Sequence, residues 1–271
     1  MKIYDQHMHS IYSPDASNTA TFENYIKEAK KENIDTLIFT DHVDFDASAS
    51  ISRMIPDFYR IKNDLERLEE KHRMILNMGV EIGFQPHMKK AYDRLLKTHP
   101  FDFVIMSIHQ GDKKDFYNGD FFNDKNQEEA YTRYFTLLKE AIKDYQNYDV
   151  IGHIDYIIRY GDYQRKDYDF KRYQPIIDEI LRLIIHYNKG IELNTSGLRY
   201  GLKHMHPKKA LLKRYKELGG KIITIGSDAH DPRDYRKDFD KAFDILKSVG
   251  FKKIAVFNKR QARFISIEHL K

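Results

Sequence analysis

Short apolar runs alternate with longer stretches in which apolar residues recur every three or four positions. The apolar runs predict strands at 2–9, 34–40, 74–83, 101–108, 149–152, 190–194 and 221–226, with a last short one at 253–257. The spaced stretches predict helices at 22–32, 56–72, 87–97, 127–146, 173–187, 208–218 and 234–249. In 56–72 the inner face is Phe58, Ile61, Leu65 and Leu68; in 173–187 it is Ile176, Ile180, Leu183 and Ile184. The segments 111–126 and 156–170 read as long polar connections, and 258–271 as a tail. Strands that alternate with helices make a parallel sheet. Seven or eight such units in about 250 residues favour a closed barrel over an open doubly wound sheet. No break in composition marks a linker, so 1–271 reads as one domain.

Charge and composition narrow the chemistry. The 46 basic and 41 acidic residues leave a net charge of +5, spread over helix faces with no basic tract interleaved with aromatics. Nucleic acid is therefore not an expected partner; anionic small molecules suit the balance. No apolar run approaches the roughly 20 residues that cross a membrane, and residues 1–10 carry no secretory signal, so a cytoplasmic location is expected. Cysteine is absent, which excludes disulfides and thiolate ligands. Any metal must be held by His, Asp and Glu, a donor set that suits Zn, Mn or Fe.

The polar residues at the strand exits then stand out. They are His7 and His9, then His42, Glu81, His109, His153, Asp228 and His230. Six of the 13 histidines sit in this context, while His72, His87 and His186 lie on helix surfaces. Alternation along a strand turns His7 and His9 to one face, with Asp5. In a parallel barrel every strand ends at the same rim. Six imidazoles and two carboxylates meeting there would repel if charged and stay unsatisfied if neutral; metal cations resolve both problems.

In chain order, Asp5-x-His7-x-His9, Thr40-Asp41-His42, Gly79-Val80-Glu81, Ser107-x-His109, Gly152-His153-x-Asp155 and Ser227-Asp228-Ala229-His230 resemble the motifs of the PHP (polymerase and histidinol phosphatase) family. That resemblance implies an α/β fold, a distorted (β/α)7 barrel, with three divalent metal ions. It assigns His7, His9, Glu81 and Asp228 to the first metal. Glu81, His109 and His153 would bind the second, with Glu81 bridging, and Asp15, His42 and His230 the third. Some members carry histidine where this chain has Asp15. Asp5 and Asp155 are candidates either to orient ligating histidines or to cap a loop or strand end.

A trinuclear site suits hydrolysis of a phosphate monoester, with catalytic weight on His42, Glu81 and Asp228. Arg159 and Arg199, just past the fifth and sixth strands, are candidates to bind the phosphate bidentately. Both resemble arginines of the monofunctional histidinol-phosphate phosphatases, which implies hydrolysis of L-histidinol phosphate in histidine biosynthesis. The alternatives are another phosphoesterase substrate (a sugar phosphate, phosphotyrosine or a nucleotide), a metal-binding barrel without turnover, and an amidohydrolase-type barrel. The amidohydrolase reading fits Glu81 and the Ser-Asp-Ala-His ending less well.

Overall fold

The computed structural model describes residues 5–46 and 55–268. Six parallel strands form one curled sheet in sequence order: β1 (Thr36–Phe39), β2 (Ile75–Gly83), β3 (Phe103–Ser107), β4 (Val150–Ile151), β5 (Gly190–Asn194) and β6 (Ile223–Gly226). His42–Val43 adds a short continuation that also pairs with β2. The β1–β6 strands are apolar and almost wholly buried, as strands covered on both faces must be.

The N-terminal segment fills the gap between the two edges of this sheet. Gln6 N donates to Ile225 O (3.2 Å) and His9 N to Ala229 O (2.8 Å), while Thr40 N donates to Met8 O (2.9 Å). Met8 spends its own N–H on the Thr40 hydroxyl (3.1 Å). The expected strand at 2–9 is thus a single parallel bridge, Met8 with Ala229, because side chains and irregular backbone share its pairing. Residues 2–4 lie outside the described residues.

Among the described residues, seven helices of nine residues or more cover the sheet: α1 (Phe22–Lys31), α2 (Phe58–His72), α3 (Lys89–Thr98), α4 (Gln127–Asp144), α5 (Phe170–His186), α6 (Lys209–Glu217) and α7 (Phe239–Val249). α1 starts at Thr21, whose hydroxyl accepts from Asn24 N, and buries Phe22, Tyr25, Ile26 and Ala29. Each large apolar side chain buried this way contributes about 1.5–3 kcal/mol. The Tyr25 hydroxyl donates to Ala229 O (3.0 Å), which ties the helix to the Ser227–His230 exit. α2 buries the expected face, Phe58, Ile61, Leu65 and Leu68. α5 does not: Tyr173, Ile177, Ile180, Leu181 and Ile184 are buried, and Ile176 and Leu183 only partly. That helix packs against both α4 and the sheet, so its apolar face is broader than one stripe.

Three expected connections have structure of their own. The tail contains β8 (Gln261–Ser266), which pairs antiparallel with β7 (Lys253–Asn258). The turn between them holds Lys259 (φ 48°) and Arg260 (φ 63°) in the left-handed region, without the Asn or Gly that usually marks such a turn. This hairpin packs beneath the sheet: Phe257 stacks on Phe103 at 4.9 Å, and Arg260 pairs with Asp149 at 2.6 Å. In 111–126, Gln110–Gly111 pairs with Lys114–Asp115, and Phe116 and Phe121 are buried. The 156–170 connection opens with a 3-10 turn, Tyr156–Arg159.

Candidate metal centre

The C-terminal ends of the strands deliver the expected side chains to one rim. Glu81 lies at its centre, fully buried, and its two oxygens face different histidines. Oε2 lies 3.1 Å from His7 Nε2 and 3.5 Å from His9 Nε2. Asp228 Oδ1 completes this group at 3.8 and 3.4 Å from the same two nitrogens. Oε1 lies 2.9 Å from His153 Nε2 and 3.4 Å from His109 Nε2. Nearer the solvent, Asp15 Oδ2 lies 3.2 Å from His230 Nε2 and 3.6 Å from His42 Nε2, and those two nitrogens are 3.3 Å apart. The His42 ring spans the groups, because its Nδ1 is 2.9 Å from Glu81 Oε2. All nine expected donors therefore converge, with Asp15 half-exposed at the lip and the others buried or largely so.

Glycine makes this crowding possible. A Cβ on Gly152 would meet Ser107 Oγ at 2.4 Å and approach Glu81 Oε1, and one on Gly226 would meet His7 Cβ at 2.3 Å. Asp228 itself sits at φ 54°, a cost that an aspartate bears better than most residues. Arg199 braces that turn: its Nη2 donates to Ser227 O (3.1 Å) and Asp228 O (2.7 Å). Its Nη1 is buried without a hydrogen-bond partner. Arg159 faces the cavity more directly. Its Nη2 donates to Ser196 Oγ (2.7 Å) and lies 3.4 Å from Asp228 Oδ2, and its guanidinium rests on the Tyr200 ring at 3.7 Å.

The electrostatics are those of a cation site read without its cations. Burial opposes ionisation of Glu81, yet His7, His42 and His109 outweigh it and hold its carboxyl well below the usual range. The same contest, with His7 foremost among the opposing groups, lowers Asp228. Burial also opposes protonation of His7, but Glu192, Glu81 and Asp228 lift its pKa well above the ordinary value. His42 is pushed up to about 9, against burial, by Asp15 and Glu81. His9 goes the other way: burial, His230 and His42 keep it neutral. His7 Nε2, His9 Nε2 and Glu81 Oε2 are buried and have no hydrogen-bond partner despite their closeness. These atoms converge on shared space that a proton on His7, or a coordinated cation in its place, must fill. With nitrogen and oxygen donors only, the set suits divalent metals.

A second layer sets the tautomers, and most of it was not foreseen from sequence. His7 Nδ1 meets Glu192 Oε1 at 2.7 Å, and His109 Nδ1 meets Asp44 Oδ1 at 2.8 Å. His9 Nδ1 meets Ser13 Oγ at 3.1 Å, and that hydroxyl donates to Asp41 at 2.7 Å. His230 Nδ1 meets the carbonyl of Asp228 at 3.0 Å. In each case an acceptor on Nδ1 leaves the Nε2 lone pair turned inward. Ser107 Oγ donates to Glu81 Oε1 at 2.6 Å. Of the two alternatives open for Asp5 and Asp155, capping fits the first, and the second orients a histidine that is not one of the nine donors. Asp5 accepts from the backbone N–H of His7, Ser227 and Arg236 and touches no imidazole. Asp155 holds His206 Nδ1 at 2.7 Å, a histidine outside the donor groups. A carboxylate two residues from a histidine was the only signal for either, and strand-end backbone competes for such groups.

Glu192 is the strongest of the unforeseen residues, since it also accepts from His153 N (2.9 Å) and Asn194 Nδ2 (3.0 Å). Glu192→Gln keeps its shape and loses its charge. Metal affinity is expected to fall about 10- to 100-fold, read by metal titration of the apoprotein. Unchanged affinity would mean that Glu192 serves the backbone alone.

Residues 5–196 match the PHP domain, which is more than half of the chain. The chain belongs to the PHP family. Within that family it is 32% identical over 260 residues to the histidinol-phosphatase of Lactococcus lactis subsp. lactis, covering 95% of both chains. The crystal structure of histidinol phosphate phosphatase from that organism, complexed with Zn, L-histidinol and phosphate, superposes with a TM-score of 0.86 at 28% identity; 96% of this chain and 98% of that one are covered. A Listeria monocytogenes structure superposes at 0.72 with 17% identity, covering 88% of this chain and 98% of that one, and shares the fold.

Proposed function

We propose that this chain is a metal-dependent phosphomonoesterase that hydrolyses L-histidinol phosphate to L-histidinol and phosphate, a step of histidine biosynthesis. One observation carries the reading: a buried carboxylate, Glu81, turns its two oxygens to two histidine sets at a rim that also holds Arg159. The names and bound ligands of the relatives supply the substrate. Three divalent cations are proposed, Zn, Mn or Fe. His7, His9, Glu81 and Asp228 hold the first, Glu81, His109 and His153 the second, and Asp15, His42 and His230 the third. When bound, such cations acidify water and offset negative charge on phosphoryl oxygens.

The chain's own residues do the rest. Glu81 spans the two inner groups and fixes their separation. Asp228 balances charge beside Arg159. His42 faces Glu81 through one nitrogen and the outer group through the other, which places it between the buried centre and the solvent. Arg159 is held by Ser196 and the Tyr200 ring with its Nε buried and unpaired, ready for a phosphate oxygen. Arg199, the second candidate, acts on the site through the Ser227 and Asp228 carbonyls it braces, and Arg159 is the arginine that lines the cavity.

The cavity over this centre measures about 290 Å³, close to the lower end of the roughly 300–1,000 Å³ of small-molecule sites. No helix among the described residues is long and apolar enough to cross a membrane, and the proposed role places the protein in the cytoplasm. The test is phosphate release from the metal-loaded protein. L-Histidinol phosphate is expected to show a kcat/KM at least about 100-fold above a dinucleotide or a phosphotyrosine peptide, a gap of about 2.7 kcal/mol in transition-state binding. Equal or reversed rates reject the substrate.

A further inference from the structure

His206 is fully buried, lies outside the nine donors and is held from two sides. Its backbone exchanges two hydrogen bonds with Asn194 at the end of β5: His206 N donates to Asn194 O (2.9 Å) and Asn194 N to His206 O (2.6 Å). Its ring is fixed by Asp155, whose Oδ1 lies 2.7 Å from Nδ1. Asp155 also accepts from the Tyr168 hydroxyl (3.1 Å) and from Lys208 N (3.0 Å). An ionised carboxylate only accepts, so the His206 proton sits on Nδ1. Burial lowers the pKa of His206 even beside Asp155, so the ring is neutral. Its Nε2 is then an acceptor, buried and without a hydrogen-bond partner. A buried acceptor left unmatched costs about 1–3 kcal/mol.

A matching donor lies close by. Of the histidines that turn Nε2 towards the central carboxylates, His7, His9, His109 and His230 meet an oxygen through Nδ1. His153 does not: its Nε2 lies 2.9 Å from Glu81 Oε1, and its Nδ1 is buried without a hydrogen-bond partner. A neutral His153 that gives its Nε2 lone pair to a metal carries its proton on Nδ1, which makes that atom a donor. The centres of the His153 and His206 rings are 6.5 Å apart, with the planes at 72°. Ring nitrogens lie about 1.2 Å from the ring centre, so a direct N–H···N bond of about 3 Å would hold the centres within about 5.4 Å. One water between the nitrogens suits the longer distance. Its chemistry also suits the pair, since water accepts and donates at once. A cation would face the N–H of His153, and an anion the lone pair of His206. Tyr156, stacked on His153 at 4.2 Å and 6.3 Å from the His206 ring, packs beside both.

We propose that one bound water joins His153 Nδ1 to His206 Nε2, and that Asp155 and His206 thereby position His153 as a metal ligand. Asp155 holds the His206 proton on Nδ1. His206 accepts from the water, and the water accepts from His153, which leaves the His153 Nε2 lone pair turned to the metal. His206 is a positioning residue that touches neither metal nor substrate. The inference rests on the metal-binding part of the reading above and not on the choice of substrate.

The experiment compares His206→Asn with His206→Gln by metal titration of the apoprotein, which needs no substrate. Asparagine places its amide near the position of Nδ1, so it keeps the bond to Asp155 and loses the far acceptor. Glutamine reaches the position of Nε2 and gives up the bond to Asp155. Metal affinity is expected to fall about 10- to 100-fold in the asparagine variant and to stay within about threefold in the glutamine variant. A role confined to satisfying Asp155 predicts the reverse order. The reverse order, equal losses or no loss in either variant would each overturn the proposal. Should a variant not fold, a crystal structure of the metal-loaded wild type carries the test. A water within about 3.2 Å of both nitrogens is expected; none there, or one shared by His206 and Arg159 without His153, overturns the proposal. His153→Ala separates the two readings. Unchanged metal affinity in that variant rejects His153 as a ligand and the inference with it. A loss there, with none in His206→Asn, rejects the water link alone.

Discussion

Glu81→Ala is expected to lower kcat on a phosphate monoester by at least about 10³-fold, or about 4 kcal/mol of transition-state stabilisation. The size follows from the position of this one side chain. Its oxygens approach His7 and His9 on one side and His153 and His109 on the other, so truncation removes a donor from two groups at once. Alanine also leaves His7, His42 and His109 without the charge that offsets their own. Glu81→Gln is the sharper control, because it keeps the volume and the hydrogen bond from Ser107. Both variants should unfold cooperatively on heating while their metal content, measured on the same samples, falls. Full turnover with either would reject the bridging role.

Removal of metal is expected to have an effect of the same order. Dialysis against a chelator should take activity below about 1% of the starting value, and Zn or Mn should restore it. Reloading should also release protons. His42 has its pKa lifted to about 9 against an ordinary value of 6.5. The sign follows directly. Its protonated form stabilises the metal-free fold below about 6.5, and that contribution is lost as pH rises through about 9. A cation competes with the same proton, so metal affinity should climb across this window by about tenfold per pH unit for each proton displaced. Calorimetry in buffers of different ionisation enthalpy counts those protons. Affinity flat between pH 6.5 and 9 would show that His42 is not a ligand.

Much of the site could be read along the chain because a parallel sheet imposes a simple rule. Its strands all end on the same side, so a polar residue just after an apolar run is placed without knowledge of any contact. His42, Glu81, His109, His153, Asp228 and His230 were located this way, and His7 and His9 by their two-residue spacing. The residues that orient them obey no such rule. Glu192 lies within a strand and reads as an interior interruption; Asp44 follows His42 as one more loop acid; Ser13 has no motif. Each acquires its role by facing an imidazole that is distant in sequence. Asp5 and Asp155 show the same limit, since Asp5 caps the backbone N–H groups of Ser227 and Arg236, more than 200 residues away, and Asp155 holds His206 rather than one of the nine donors.

Sequence alone therefore determined the alternation of strands and helices, the donor atoms and the rim that collects them, because hydrophobic period and strand polarity are local properties. Tertiary structure decided how the N-terminal segment joins the two edges of the sheet, which face α5 buries, that 253–266 form a hairpin, and which side chains orient the histidines. These depend on hydrogen bonds and packing between residues as far as 251 positions apart, such as Gln6 with Ala255 and Phe257. The Lys259–Arg260 turn carries no glycine or asparagine to announce it.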